Sequence, residues 1–172
     1  MVAVIREMFE VKPLAIFYTR TGITRKVAER ISGLLKCDIE EMVDLKNTSG
    51  VLGYFSSGMD ATLKKLTVIK EPKNDPSSYD VVIIGTPVWA DTMSTSIRTY
   101  ISENNERLRR VAFFCTYGGS GVRATLRAME ELCGTKPLAS LELRTREVAN
   151  EEHVQKCTTF VNEIDSSVHE MK

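Results

Sequence analysis

The chain has 172 residues and a formal net charge of zero, with 23 basic and 23 acidic side chains, 42% apolar residues and 27% charged ones. That balance excludes the basic excess of a nucleic-acid binder, and neither half is a charged arm, since the part up to Thr86 carries +1 and the rest −1. The length predicts one domain over residues 1–172, large enough to fold on its own core without disulfide or metal staples.

In chain order, residues 1–12 precede the first element and form an N-terminal extension, a candidate arm for a homodimer. Pro13 to Thr19 is a short apolar run with a polar end and predicts a buried strand. From Gly22 to Leu35, apolar residues at Ile23, Val27, Ala28, Ile31, Leu34 and Leu35 share one helical face. Ile39 and Met42–Val43 suggest a second strand. Residues 45–80 are irregular and too long for a plain loop, with Gly50, Gly53 and Gly58 among Leu52, Tyr54 and Phe55; a short helix is expected over Asp60 to Leu66, with a lid-like stretch before it. Val81 to Ile84 is apolar on both faces, the mark of a central parallel strand. Met93, Ile97, Tyr100 and Ile101 mark a helix, Val111 to Cys115 another two-faced strand, and Val122, Leu126, Met129 and Cys133 a further helix. Leu138 to Leu143 is a weaker strand, and Val154, Cys157, Val161 and Ile164 give a closing amphipathic helix. This alternation predicts an α/β three-layer sandwich around a five-stranded parallel sheet of order 2-1-3-4-5, with a ligand outside the carboxyl ends of strands 1, 3 and 4.

The longest run without a charge, Asn47 to Met59, holds 13 residues, against about 20 apolar residues needed to span a bilayer. Met1 to Lys12 lacks the basic start of a signal peptide. No membrane span and a cytoplasmic location are therefore expected. Cys37, Cys115, Cys133 and Cys157 are widely spaced and far from His153 and His169 except for Cys157, without zinc-ligand spacing; they are expected to be reduced and structural.

Three loops fall at the ligand edge of such a sheet. The first is Thr19-Arg20-Thr21-Gly22-Ile23-Thr24, in which hydroxyls and a glycine precede a helix. A helix N-terminus offers free N–H groups and a positive dipole end, which suits a phosphate. The second is Gly85-Thr86-Pro87-Val88-Trp89-Ala90-Asp91-Thr92-Met93, containing the only tryptophan, which can stack on a planar ring. The third is Thr116-Tyr117-Gly118-Gly119-Ser120-Gly121, where glycines beside an aromatic let backbone approach a flat ligand. The first loop is not the G-x-x-x-x-G-K-[ST] of a nucleotidase, and G-x-G-x-x-G is absent after strand 1. A receiver domain needs an Asp at the end of strand 3, where Gly85-Thr86 stands. A low-molecular-weight phosphatase needs an Arg six residues after its Cys, where Gly121 follows Cys115.

With those motifs, covering most of its length, the chain resembles the flavodoxins and flavodoxin-like flavoproteins. Thr19 to Thr24 fits the family's phosphate loop, [ST]-x-T-G-x-T, with Ile23 where Asn is common. Gly85 to Trp89 fits G-[ST]-P-x-[WY], and Thr116 to Gly121 is similar to the third loop, which contacts the pyrimidine edge of the flavin. The resemblance implies noncovalent FMN and redox chemistry. It implies phosphate contacts from Thr19, Arg20, Thr21, Gly22, Ile23 and Thr24. It implies one ring face and edge lined by Thr86, Pro87, Val88, Trp89 and Ala90, and the other edge contacted by Thr116, Tyr117, Gly118, Gly119 and Gly121. No nucleophile, metal cluster or paired carboxylate stands out, which fits chemistry carried by a cofactor.

Two departures from the small electron-transfer flavodoxins bear on redox tuning. Their turn after the aromatic often has a Gly whose peptide reorients on reduction; here it is Ala90-Asp91, and Ala reaches positive φ only at a cost. A less stabilised one-electron-reduced form is therefore expected. Those proteins are also usually acidic, and this chain is neutral: Arg20, Arg25, Lys26, Lys64, Lys65 and Arg123 stand near the loops against Asp60 and Asp91. The expected function is electron transfer to a redox partner protein. The alternative is an FMN-dependent NAD(P)H:quinone or flavin oxidoreductase with a small quinone or flavin acceptor, or, more remotely, one like menaquinone-linked protoporphyrinogen oxidase.

Overall fold

A computed structural model describes residues 11–46 and 65–170. Its strands are β1 (Pro13–Phe17), β2 (Asp38–Glu41), β3 (Val81–Trp89), β4 (Thr92–Met93), β5 (Val111–Tyr117) and β6 (Ser140–Arg144). The helices are α1 (Ile23–Leu35), α2 (Thr95–Asn104), α3 (Val122–Cys133), α4 (Thr145–Ala149) and α5 (His153–Glu170). β2, β1, β3, β5 and β6 pair in that order, all parallel, and β4 folds back antiparallel on β3. With the small β4 set aside, this is the expected order.

Strand alternation builds two cores from one sheet. Leu14, Ile16, Val82, Ile84, Val111 and Phe113 point to one side, where they meet Ile97, Tyr100 and Ile101 of α2 and Met129 of α3. Phe17, Val81, Ile83, Ala112 and Phe114 point to the other, against Val27, Ala28 and Ile31 of α1 and Phe160, Val161 and Ile164 of α5. Both faces are covered, which is why these strands read as unbroken apolar runs. Gly85 leaves the space that the Phe114 ring occupies: a Cβ there would lie 1.9 Å from the ring.

Several boundaries differ from the sequence reading. β3 continues beyond Ile84 to Trp89, so Gly85 to Trp89 are strand residues rather than loop. β1 ends opposite Gly85, but β5 still pairs with Thr86 and Pro87, and β4 pairs with Val88 and Trp89. Pro87 is tolerated because β1 no longer requires its missing N–H. Met93 belongs to β4, and α2 starts after Ser94, whose hydroxyl accepts from Ile97 N–H. α4 was not anticipated, and the last helix extends past Ile164 to Glu170. Lys65 and Leu66 are not helical; the rest of the expected helix over 60–66, the lid-like stretch with Tyr54 and Phe55, and residues 1–10 of the proposed dimer arm lie outside the described residues. All four cysteines are free, with Cys115, Cys133 and Cys157 buried. Among the described residues no helix is long and apolar enough to cross a membrane.

Candidate functional site

The first expected loop leaves β1 alongside β3, with Tyr18 N–H bonded to Gly85 O at 3.1 Å. Thr19 is buried and its Oγ1 accepts from Gly22 N–H at 3.1 Å, closing the loop on itself. Thr21 stays exposed. Gly22 precedes α1, and Gly121 precedes α3, with the same φ of 87°. Neither position carries a side-chain cap. Both helices therefore present the positive ends of their dipoles at the carboxyl edge of the sheet without a side chain consuming them. Thr24 sits in the first turn of α1, and its Oγ1 lies 2.8 Å from Thr116 Oγ1 at the end of β5, both side chains buried. One hydrogen bond thus joins the first and third loops.

The second region is a hairpin with Trp89 opposite Thr92. Its two turn residues, Ala90 and Asp91, have φ of 46° and 58°. A two-residue connection needs the left-handed region at both positions to match strand twist. The cost foreseen for Ala90 is therefore met by the fold rather than avoided. Thr86 does not reach the cavity described below; its Oγ1 accepts from Ser94 N–H at 3.0 Å and ties the hairpin's two ends together. Asp91 accepts from Ser120 Oγ at 3.1 Å, linking the second loop to the third. A Cβ on Gly121 would come within 2.2 Å of the Asp91 carboxylate, so only glycine lets these loops approach.

A cavity of 210 Å³ opens where the three regions meet. Arg20, Thr21, Ile23 and Thr24 line it from the first; Pro87, Val88 and Trp89 from the second; Thr116, Tyr117 and Gly118 from the third. Thr19, Gly22, Thr86, Ala90, Gly119 and Gly121 are neighbours in sequence of that lining and not part of it. Thr145, the first residue of α4, also lines it. Sequence reading missed Thr145 because nothing marks a five-residue helix after β6. It also missed the fastening roles of Ser94, Ser120 and Asp91, although Ser94 at the start of an apolar helical pattern was a usable cap signal.

Two aromatic residues bound the cavity. The Trp89 and Tyr18 rings stand edge to face at 5.5 Å and 86°, and the Arg20 guanidinium lies 5.9 Å from the Trp89 centroid. The Arg144 guanidinium lies 5.3 Å from the centroid of Tyr117. Two of the expected cations are already matched: Arg25 bonds Glu41 at 2.6 Å, which raises the guanidinium pKa, and Lys26 faces Glu151 at 3.6 Å. Lys64 and Asp60 lie outside the described residues. Chemically, the cavity brings a helix N-terminus and hydroxyls together with two aromatic rings. This suits a ligand with an anionic group and a flat polar ring.

A family model described as Flavodoxin matches residues 12–159, and the chain belongs to the flavodoxin family. It is similar to a flavoprotein from Lactobacillus acidophilus NCFM, solved in complex with FMN, at 24% identity and a TM-score of 0.69, over 86% of this chain and 99% of that one. It is also similar to oxidised flavodoxin 1 from Bacillus cereus, with 20% identity, a TM-score of 0.57 and coverage of 90% and 97%. Two-electron reduced flavodoxin from Megasphaera elsdenii has 14% identity, the same TM-score of 0.57 and coverage of 91% and 97%. Among curated proteins none matches the chain.

Proposed function

We propose that this chain binds FMN noncovalently in the 210 Å³ cavity and transfers electrons between redox partners in the cytoplasm. The observation that carries this reading is the convergence of three separate chain segments on one cavity, where an uncapped helix N-terminus meets Trp89 and Tyr117. The donor set fits: Thr21 and the N-terminal turn of α1, with Thr24 behind it, suit the phosphate, and Arg20 adds positive charge. Pro87, Val88 and Trp89 offer an apolar wall to a ring. Tyr117, Gly118 and Gly119 offer an aromatic face and open backbone at the other edge. When bound, FMN supplies one- and two-electron chemistry. The chain's own part is to hold the phosphate, orient the ring and keep water from the Trp89 face.

The test is direct. Purified protein is expected to be yellow or to become so with FMN, and FMN is expected to quench the fluorescence of its single tryptophan. Absence of both overturns the reading. The zero net charge favours a second reading, an FMN-dependent NAD(P)H:quinone or flavin oxidoreductase, because the chain lacks the acidic excess that steers a carrier to a cationic partner protein. Rapid bleaching of the loaded protein by NADH or NADPH selects that enzyme; a stable yellow colour with bleaching only through a protein donor selects the carrier.

A further inference from the structure

Arg98 lies on the inward face of α2 beside Ile97 and Ile101, and is only 8% exposed. Its Nη2 donates to Thr92 Oγ1 at 2.6 Å. Its Nε–H is buried with no acceptor, and no carboxylate pairs with it among the described residues. Burial alone lowers its pKa from the ordinary guanidinium value. A buried cation without a counter-charge is costly to the fold, and an apolar side chain of similar length in its place is often neutral or stabilising. What Arg98 holds is Thr92, directly across the ladder from Trp89. The two residues between them are both in the left-handed region, so the turn persists only if its ends are fastened. Thr86–Ser94 and Asp91–Ser120 fasten the neighbouring positions, and among the described residues Arg98 is the fastener that brings a buried charge to the hairpin.

We propose that Arg98 is a positioning residue that holds the Trp89 hairpin in its ligand-ready form, at a cost to the stability of the apoprotein. The ligand arm of this inference rests on the FMN reading above; the arm on the apoprotein does not.

The experiment compares full-length wild type with Arg98→Met, which keeps length without charge or donor, Arg98→Lys, and Thr92→Val, which removes the acceptor but keeps the shape. Each is read by apoprotein melting, by Trp89 emission and its quenching by acrylamide, and by FMN titration. Arg98→Met is expected to melt at or above the wild-type temperature, to expose Trp89 to quencher, and to weaken FMN binding roughly fivefold, the scale of one aromatic contact. Thr92→Val should shift emission and affinity in the same direction, the double variant should be no worse than the more affected single one, and Arg98→Lys should restore part of both. Arg98→Met that melts well below wild type while Trp89 emission and FMN affinity stay unchanged overturns the proposal and makes Arg98 a packing residue. So do unchanged emission and affinity in Thr92→Val, which also decides the matter if Arg98→Met does not fold. If wild type takes up no FMN, the functional reading falls, and the Trp89 signals of the apoproteins alone decide for or against Arg98.

Discussion

Trp89 stands edge-to-face with Tyr18 and is approached by Arg20, and it lies half-buried at the cavity wall rather than sunk in the core. Trp89→Ala is expected to weaken FMN binding by about 1 kcal/mol or more, the usual worth of a stacked aromatic pair; isothermal titration measures it, and an unchanged affinity would assign the ring to packing alone. One residue later, Ala90 holds a φ of 46°, which a side chain with a Cβ adopts only under strain. Ala90→Gly is expected to stabilise the protein by about 1 kcal/mol in urea unfolding, because glycine reaches the left-handed region without that cost. The three motif loops were legible as residue types because a phosphate and a flat ring call for hydroxyls, glycines and aromatics. Which of those residues line the cavity was not legible. Thr19 and Thr86, expected from the sequence as ligand contacts, also hold the loops in shape, because their hydroxyls accept backbone N–H bonds.

At the level of elements, α1 and β5 are tied by the buried Thr24–Thr116 hydrogen bond as well as by their shared core. Thr24→Val keeps the shape of Thr24 but leaves the Thr116 hydroxyl without its partner. It is expected to cost about 1–3 kcal/mol of unfolding free energy, and, by loosening the first loop from the third, to weaken phosphate binding as well; a variant as stable as wild type would show that the bond contributes nothing. Helices α1, α2, α3 and α5 were legible from apolar spacing because each lays one face on the sheet. β3 was cut short in the reading because Gly85 and Pro87 are ordinary loop signals. They lie in a strand here because β5 and β4 supply pairing where β1 stops. α4 escaped because its start is fixed by Glu147, whose carboxylate accepts from Arg144 N–H at 2.6 Å, a local closure that leaves no periodic trace.

For the whole molecule, the buried thiols and Tyr79 bear on stability at alkaline pH. Burial pushes Cys157 up to about 11 and Cys133 up to about 12 from an ordinary 9.0, and burial with the Asp38 contact pushes Tyr79 up to about 12 from 10.0. Each group binds its proton more tightly folded than unfolded. Its stabilising contribution is therefore complete below the ordinary values and is lost as pH rises through the raised ones. Melting temperature is expected to fall progressively above about pH 9 and more gently in Cys157→Ala, compared between about pH 8 and about pH 10.5; parallel curves for the two proteins would remove Cys157 from this account. The zero charge sum takes on structure at this scale too. Arg25 and Lys26, counted as cations facing the loops, are matched by Glu41 and Glu151, whereas Arg20 lines the cavity.

By itself the sequence determined the order of the five parallel strands and of the four longer helices, and the three segments that fall at the carboxyl edge of the sheet. Apolar periodicity and strand connection rules act along the chain and need no coordinates. Only the tertiary structure decided how those segments are fastened to one another: Thr24 to Thr116, Asp91 to Ser120 across the gap that Gly121 leaves, and Arg98 to Thr92 behind Trp89. Of these, the first two join residues far apart in the chain, and all three depend on side-chain directions that a linear pattern does not carry. The physical reason is that a hydrogen bond is set by ångström distances and angles in space, whereas burial can be read from spacing alone.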